Sequence, residues 1–124
     1  MQKRRPSSNE KETDIQKQCL EALEKLGWFA WRNNSTGVFD ASKRIYRKAK
    51  SKYSINGVSD IIAIKKGVHV FIEVKKPNGK QSESQKIFER NVTNNGGKYY
   101  IATCVNDIIE INRQIFRHKT PSEA

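Results

Sequence analysis

Asp60, Glu73 and Lys75 are the residues of this 124-residue chain whose types and spacing point to chemistry. Asp60 opens the apolar run Ile61-Ile62-Ala63-Ile64, and Glu73 and Lys75 close a second run, Val68 to Lys75. Lys65-Lys66-Gly67 separates the two, so they read as the arms of a β-hairpin. If the hairpin closes through Lys66-Gly67, or through the four residues Lys65 to Val68, Ile64 faces His69. Counting outward then pairs Ala63 with Val70, Ile62 with Phe71, Ile61 with Ile72, and Asp60 with Glu73. Directly opposite residues share a face, with Cβ atoms roughly 4.5–5.5 Å apart. Lys75, two residues beyond Glu73, falls on that same face. A three-residue loop would put Asp60 out of phase, so the expectation depends on an even one.

Two facing carboxylates repel each other and would not be chosen for stability. A divalent cation between them removes the repulsion. Mg²⁺ takes oxygen ligands and usually keeps several waters, which suits two carboxylates and a substrate phosphate. A lysine beside that cation could orient or deprotonate an attacking water. Solvated charges at strand ends, with Asp60 capping the turn after Gly57, are the plainer reading of the same residues. Against it, Glu73 and Lys75 follow a strand apolar on both faces, and charges on such covered strands need partners.

The elements that must hold these residues are legible in outline. Thr13 to Leu26 carries Ile15, Cys19, Ala22, Leu23 and Leu26 at helical spacing, with Thr13 and Gln16 at capping-box distance and Gly27 as terminator. Trp28 to Trp31 reads as an aromatic strand. A helix from Ser82 to about Asn94 starts on a second capping-box pair, Ser82 and Gln85. Lys98 to Thr103 is a strand, and Asn106 is placed to cap a last helix through Phe116 with Ile108, Ile109, Ile111 and Ile115 inward. Helix, three strands, helix, strand, helix implies a mixed α+β layered sheet with helices packed on it. The boundaries expected are a flexible basic N-terminus (1–11), one domain (12–117) containing a long basic loop (35–56), and a frayed tail (118–124).

Composition narrows the partners. The chain holds 24 Lys+Arg against 13 Asp+Glu, a net charge of +11, which favours a polyanionic partner, nucleic acid before membrane. Lys43, Arg44, Arg47, Lys48, Lys50 and Lys52 crowd the long loop with Tyr46 and Tyr53 between them. Such a loop suits phosphate contacts, with the tyrosines stacking on unpaired bases; a solvated loop is the alternative. Lys76 and Lys80 could add charge on the other side. No run approaches the roughly 20 apolar residues of a membrane span. Met1-Gln2-Lys3-Arg4-Arg5-Pro6 leads into Ser7-Ser8-Asn9-Glu10 with no apolar core of a secretory signal, so an intracellular protein is expected. Cys19 and Cys104 make no disulfide framework and are expected as small buried hydrophobes. Trp28, Phe29 and Trp31 are read as core or as a dimer surface in preference to base stacking, and His69 as packed or solvated.

Three segments together, Gly57-Val58-Ser59-Asp60, Phe71-Ile72-Glu73-Val74-Lys75-Lys76-Pro77 and Gln81-Ser82-Glu83-Ser84-Gln85, resemble the PD-(D/E)XK nuclease superfamily. Within it the likeness is to the stand-alone, phage-type VRR-NUC family, which is similar to archaeal Holliday-junction resolvases, and it runs from about Glu12 to Ile109. The resemblance implies a restriction-endonuclease-like αβββαβ core with a C-terminal helix. It implies Asp60 and Glu73 as ligands of Mg²⁺ or Mn²⁺, the carbonyl of Val74 as a further ligand, and Lys75 as the residue that positions the water nucleophile. Gln85 matches the family's helical glutamine, although it could equally be the reciprocal half of the Ser82 capping box. Glu12 resembles a first-helix glutamate that reaches the metal, with Asp14 and Glu21 as the other candidates. Arg32 and Asn33 match positions near the scissile phosphate. Ser59 departs from the proline that often precedes the aspartate; it removes a restraint and no ligand.

The function implied is a metal-dependent, structure-specific endonuclease cutting branched DNA such as Holliday junctions or flaps. It would need no small-molecule cofactor and no membrane. A homodimer would allow symmetric cuts. A prokaryotic cytoplasm and a phage or mobile-element origin follow from the resemblance alone. A catalytically silent nucleic-acid-binding module and a structural partner protein are the alternatives.

Overall fold

The computed structural model describes residues 11–33, 38–40, 45–47 and 55–117. Helix α1 (Glu12–Lys25) begins at Lys11 with no side-chain cap, so the expected Thr13–Gln16 box is not what starts it. Glu12 and Asp14 fall in the first turn instead, where the helix dipole favours acids. The helix ends as the spacing predicts: Gly27 N–H donates to Glu24 O (3.0 Å) and Trp28 N–H to Leu23 O (2.9 Å), the paired bonds of a Schellman ending.

The main sheet is built from β1 (Phe29–Arg32), β4 (Ile61–Lys65), β5 (Val68–Val74) and β6 (Lys98–Ala102), lying side by side in that order. β1, β4 and β5 are antiparallel neighbours, and β6 runs parallel to β5 after the crossover helix α2 (Glu83–Asn94). The last helix, α3 (Val105–Ile115), is preceded by Cys104 rather than by a capping Asn106. Asp107 reaches back instead, accepting from Thr103 N–H (2.8 Å) and Thr103 Oγ (3.1 Å). The 35–56 connection is not a plain loop: β2 (Val38–Asp40) and β3 (Ile45–Arg47) pair antiparallel within it as a separate two-stranded sheet. Two short strands with charged neighbours leave no apolar alternation to read, which is why the sequence pattern misses them.

The sheet's two faces divide the labour. Ile61, Ala63, Val70, Ile72 and Val74 point to one face and are buried under Ile15, Cys19 and Leu23 of α1 and Ile108 and Ile111 of α3. On the opposite face, Phe88 of α2 sits edge-on to Phe71 (5.6 Å) and Tyr99 (6.1 Å). α2 therefore covers the β5–β6 half of that second face.

Candidate active site

The β4–β5 hairpin closes through two residues, Lys66 and Gly67, both at positive φ (49° and 80°). That is the backbone a tight primed turn requires, and it makes the loop even. The register follows: Ile64 pairs with His69, Ala63 with Val70, Ile62 with Phe71 and Ile61 with Ile72. Asp60 and Glu73 are the next pair outward, at the end where the strands part. Neighbouring strands extend the row. Asn33 N–H donates to Asp60 O (2.7 Å), and Glu73 pairs with Ile101 on β6.

Each carboxylate is held by a different device. Asp60 Oδ2 accepts from the backbone N–H of Val74 (2.9 Å), which fixes its carboxylate against β5. Glu73 is only 2% exposed, its Oε1 accepts from Gln85 Nε2 (3.0 Å), and its buried Oε2 has no hydrogen-bond partner among the described residues. Burial pushes the Glu73 carboxyl up to about 9; the facing Asp60 adds to the rise, Lys75 opposes it, and Glu12 adds a little more. A carboxyl with an orphaned buried oxygen facing a second carboxylate is costly for folding alone.

Gln85 uses both ends of its amide. Its Oε1 accepts from Ser82 N–H (2.8 Å) while Ser82 Oγ accepts from Gln85 N–H (3.2 Å), completing the capping box of α2. The amide's other end is the one that reaches Glu73. Because Oε1 must face a backbone donor, Nε2 is left to face the carboxylate.

Three further residues support the site through packing and hydrogen bonds. Gly57, at φ +78°, presses the Asp60 loop against α2: a Cβ there would lie 2.4 Å from Ser84 C and O and 2.7 Å from Gln85 N. Glycine is needed both for that backbone and for the approach. Ser59 is fully buried and donates to Ile61 O (3.1 Å). Gln81 Nε2 donates to Glu89 Oε1 (3.0 Å) and Tyr99 OH (3.2 Å), tying the chain after Lys75 to α2 and β6. Burial pushes the Tyr99 hydroxyl up to about 12, partly opposed by the Gln81 bond. The Asn56-Gly57 pair was a legible turn signal for the first; parity on β6 put Tyr99 on the face of Phe71.

The other expected residues distribute as follows. Of the first-helix acids, Glu12 is the one whose charge is felt at Glu73, while Asp14 and Glu21 are exposed. Among the described residues no three His, Cys, Asp or Glu side chains converge as a ready metal cage. Lys75 is half-buried, and its N–H donates to Ala102 O (3.0 Å). Arg32 is exposed on β1 opposite Ile61, and Asn33 stands beside Asp60. Lys76 and Lys80 are exposed in the turn after Lys75. Lys43, Arg44, Lys48, Lys50, Lys52 and Tyr53 lie outside the described residues, as do the side chains of Tyr46 and Arg47. His69 is exposed, Cys19 is buried and Cys104 half-buried, both as free thiols. Trp28 is core, its Nε1 donating to Asn112 Oδ1 (2.9 Å), whereas Phe29 and Trp31 are exposed. Among the described residues no helix is long and apolar enough to cross a membrane.

The donor set can be tested for a cation. Hard carboxylate oxygens face each other, one of them buried and unsatisfied, and too few protein ligands converge to fill a coordination shell. That fits a small hard cation that keeps waters and takes substrate oxygens.

Comparison with known proteins agrees with this architecture. The family model of the VRR-NUC domain matches residues 10–106. A solved structure described as a VRR_NUC domain superposes with a TM-score of 0.61 at 18% identity, over 86% of this chain and 97% of that one. No curated protein matches the chain.

Proposed function

Since the chain belongs to the VRR-NUC domain family, a family of nuclease-type domains, we propose that it is a metal-dependent, structure-specific endonuclease hydrolysing DNA phosphodiester bonds at branched sites such as Holliday junctions or flaps. The observation that carries the reading is the buried, unpartnered oxygen of Glu73 facing Asp60. Stability alone gives no reason for it; a cation-dependent reaction does.

Asp60, Glu73, the carbonyl of Val74 and Glu12 would hold Mg²⁺ or Mn²⁺. When bound, the ion lowers the pKa of its water and draws charge off the scissile phosphate. Lys75, on the face of Glu73, orients the attacking water and sets a positive charge beside the phosphate as negative charge builds there. Gln85 keeps Glu73 in one orientation. The Val74 N–H does the same for Asp60, so neither carboxylate must reorganise during the reaction. Arg32 and Asn33 on one side, and Lys76 and Lys80 on the other, grip flanking phosphates. The basic segment containing Lys43, Arg44, Arg47, Lys48, Lys50 and Lys52 supplies further phosphate contacts. None of these carries sequence information, so DNA shape selects the site. A homodimer would present two such sites for symmetric cuts at a junction.

The test is cleavage of labelled blunt duplex, flap and four-way-junction DNA in Mg²⁺, Mn²⁺ or EDTA. Metal-dependent cutting that favours the branched substrates is expected. Tight junction binding with no cutting under either metal would turn the reading to a silent binding module.

A further inference from the structure

The second face of the sheet is covered unevenly. α2 shields Phe71 and Tyr99 through Phe88, whereas on β1 Phe29 is 69% and Trp31 37% exposed. Both rings lie on the carboxylates' face, because Phe29 pairs with Ile64 and Trp31 with Ile62, the positions that alternate with Asp60. Their ring centroids are 5.2 Å apart, forming one continuous aromatic surface. The next residue of β1 on that face is Asn33, whose N–H holds Asp60. Trp31 therefore lies about 7 Å along the strand and about 4.8 Å across from the level of Asp60. The aromatic surface therefore borders the carboxylate pair on the same face of the sheet.

We propose that Phe29 and Trp31 form a stacking platform for unpaired nucleobases beside the cut, which makes DNA with a single-stranded segment at the scissile phosphate the preferred substrate. The proposal rests on the nuclease reading and names the substrate feature that site selects. Every base has a π-face, so such a platform selects unpaired bases without selecting sequence. Paired bases in an intact duplex cannot use it. The chain's net charge of +11 favours a polyanionic occupant. The platform is also continuous with the site, whereas an interface between copies has no need to end at Asp60.

The test measures binding in EDTA, so that no cutting occurs, using the full chain and its Trp31→Ala and Phe29→Ala variants. The probes are a blunt duplex, a flap with several unpaired nucleotides, and the same flap with those nucleotides abasic. Wild type should bind the normal flap roughly 5- to 150-fold more tightly than the abasic flap, with tryptophan emission quenched on the normal flap alone. Trp28 is buried in the core, so the quenching reports Trp31. Trp31→Ala should lose the same factor on the normal flap, show no further loss on the abasic one, and bind the blunt duplex as wild type does. The abasic comparison uses wild-type protein alone and decides the matter even if the variants are unstable. Equal affinity of wild type for normal and abasic flaps, or unchanged emission on binding, would overturn the platform while leaving the nuclease reading intact. Parallel loss on duplex and flap, with a dimer becoming a monomer in sedimentation, would overturn it in favour of a second copy. Failure of wild type to bind any of the three DNAs would overturn both the platform and the nuclease reading.

Discussion

Gln85 holds Glu73 and the start of its own helix with the two ends of one amide: Nε2 donates to Glu73 Oε1 at 3.0 Å and Oε1 accepts from Ser82 N–H at 2.8 Å. The two bonds separate cleanly by substitution. Glutamate at this position can still complete the capping box but sets a carboxylate against Glu73 in place of a donor. Gln85→Glu should therefore keep α2 capped while weakening Mg²⁺-dependent cutting at least tenfold, whereas Gln85→Ala should also lose about 1 kcal/mol of stability. Urea denaturation beside cleavage rates checks both. Equal behaviour of the two variants in both assays would contradict the double role.

Gly57 couples the Asp60 loop to the helix that carries Gln85. A Cβ there would meet the Ser84 backbone at 2.4 Å, and the residue sits at φ +78°. Gly57→Ala is expected to cost about 1–3 kcal/mol and to lower cutting more than it lowers DNA affinity. A variant of wild-type stability would show that the loop and α2 separate easily.

Metal-free stability should depend on pH through Glu73. Its carboxyl is pushed up to about 9 in the folded protein from an ordinary 4.5. Between those values the folded state binds the extra proton, so this contribution is fully present below about 4.5 and is lost as pH rises through about 9. Thermal melts in EDTA from pH 5 to pH 9 should thus show a decline that Glu73→Gln flattens. Millimolar Mg²⁺ should offset the loss at the alkaline end by binding the ionised pair. A wild-type profile identical to that of Glu73→Gln would contradict the assignment.

The hairpin was legible because side chains alternate with a period of two. The sequence leaves the parity of the loop open, however; the two-residue turn in the structure is what sets Asp60 opposite Glu73. The Ser82–Gln85 cap was legible for a similar reason, since it is local. What stayed hidden depends on long-range packing. Nothing near Gly57 in sequence announces that Ser84 will lie against it, and the alternation that places Trp31 on the carboxylates' face does not say that α2 stops short of covering it. The Thr13–Gln16 box has the same spacing as the Ser82–Gln85 box, yet the N-cap of α1 is Lys11, two residues before Thr13, and the box goes unused.

Lys75 is set apart from the surface lysines by its place beside Glu73. Lys75→Met should reduce cutting roughly 10²- to 10⁴-fold with little change in DNA affinity. Lys76→Ala and Lys80→Ala should instead weaken binding and flatten its salt dependence, each by about one phosphate contact. Binding isotherms at several salt concentrations, together with single-turnover cutting rates, distinguish the two kinds of lysine. Loss of affinity alone in Lys75→Met would move it into the second group.

The most direct test of the account compares wild type with Glu73→Ala on a labelled flap or four-way junction in Mg²⁺, Mn²⁺ and EDTA, reading cutting and binding in the same samples. Wild type should cut in either metal and not in EDTA. The variant should not cut under any condition, with affinity for the DNA equal to or above that of wild type. Cutting by Glu73→Ala at the wild-type rate would contradict the account, because the buried carboxylate opposite Asp60 would then have no part in the reaction.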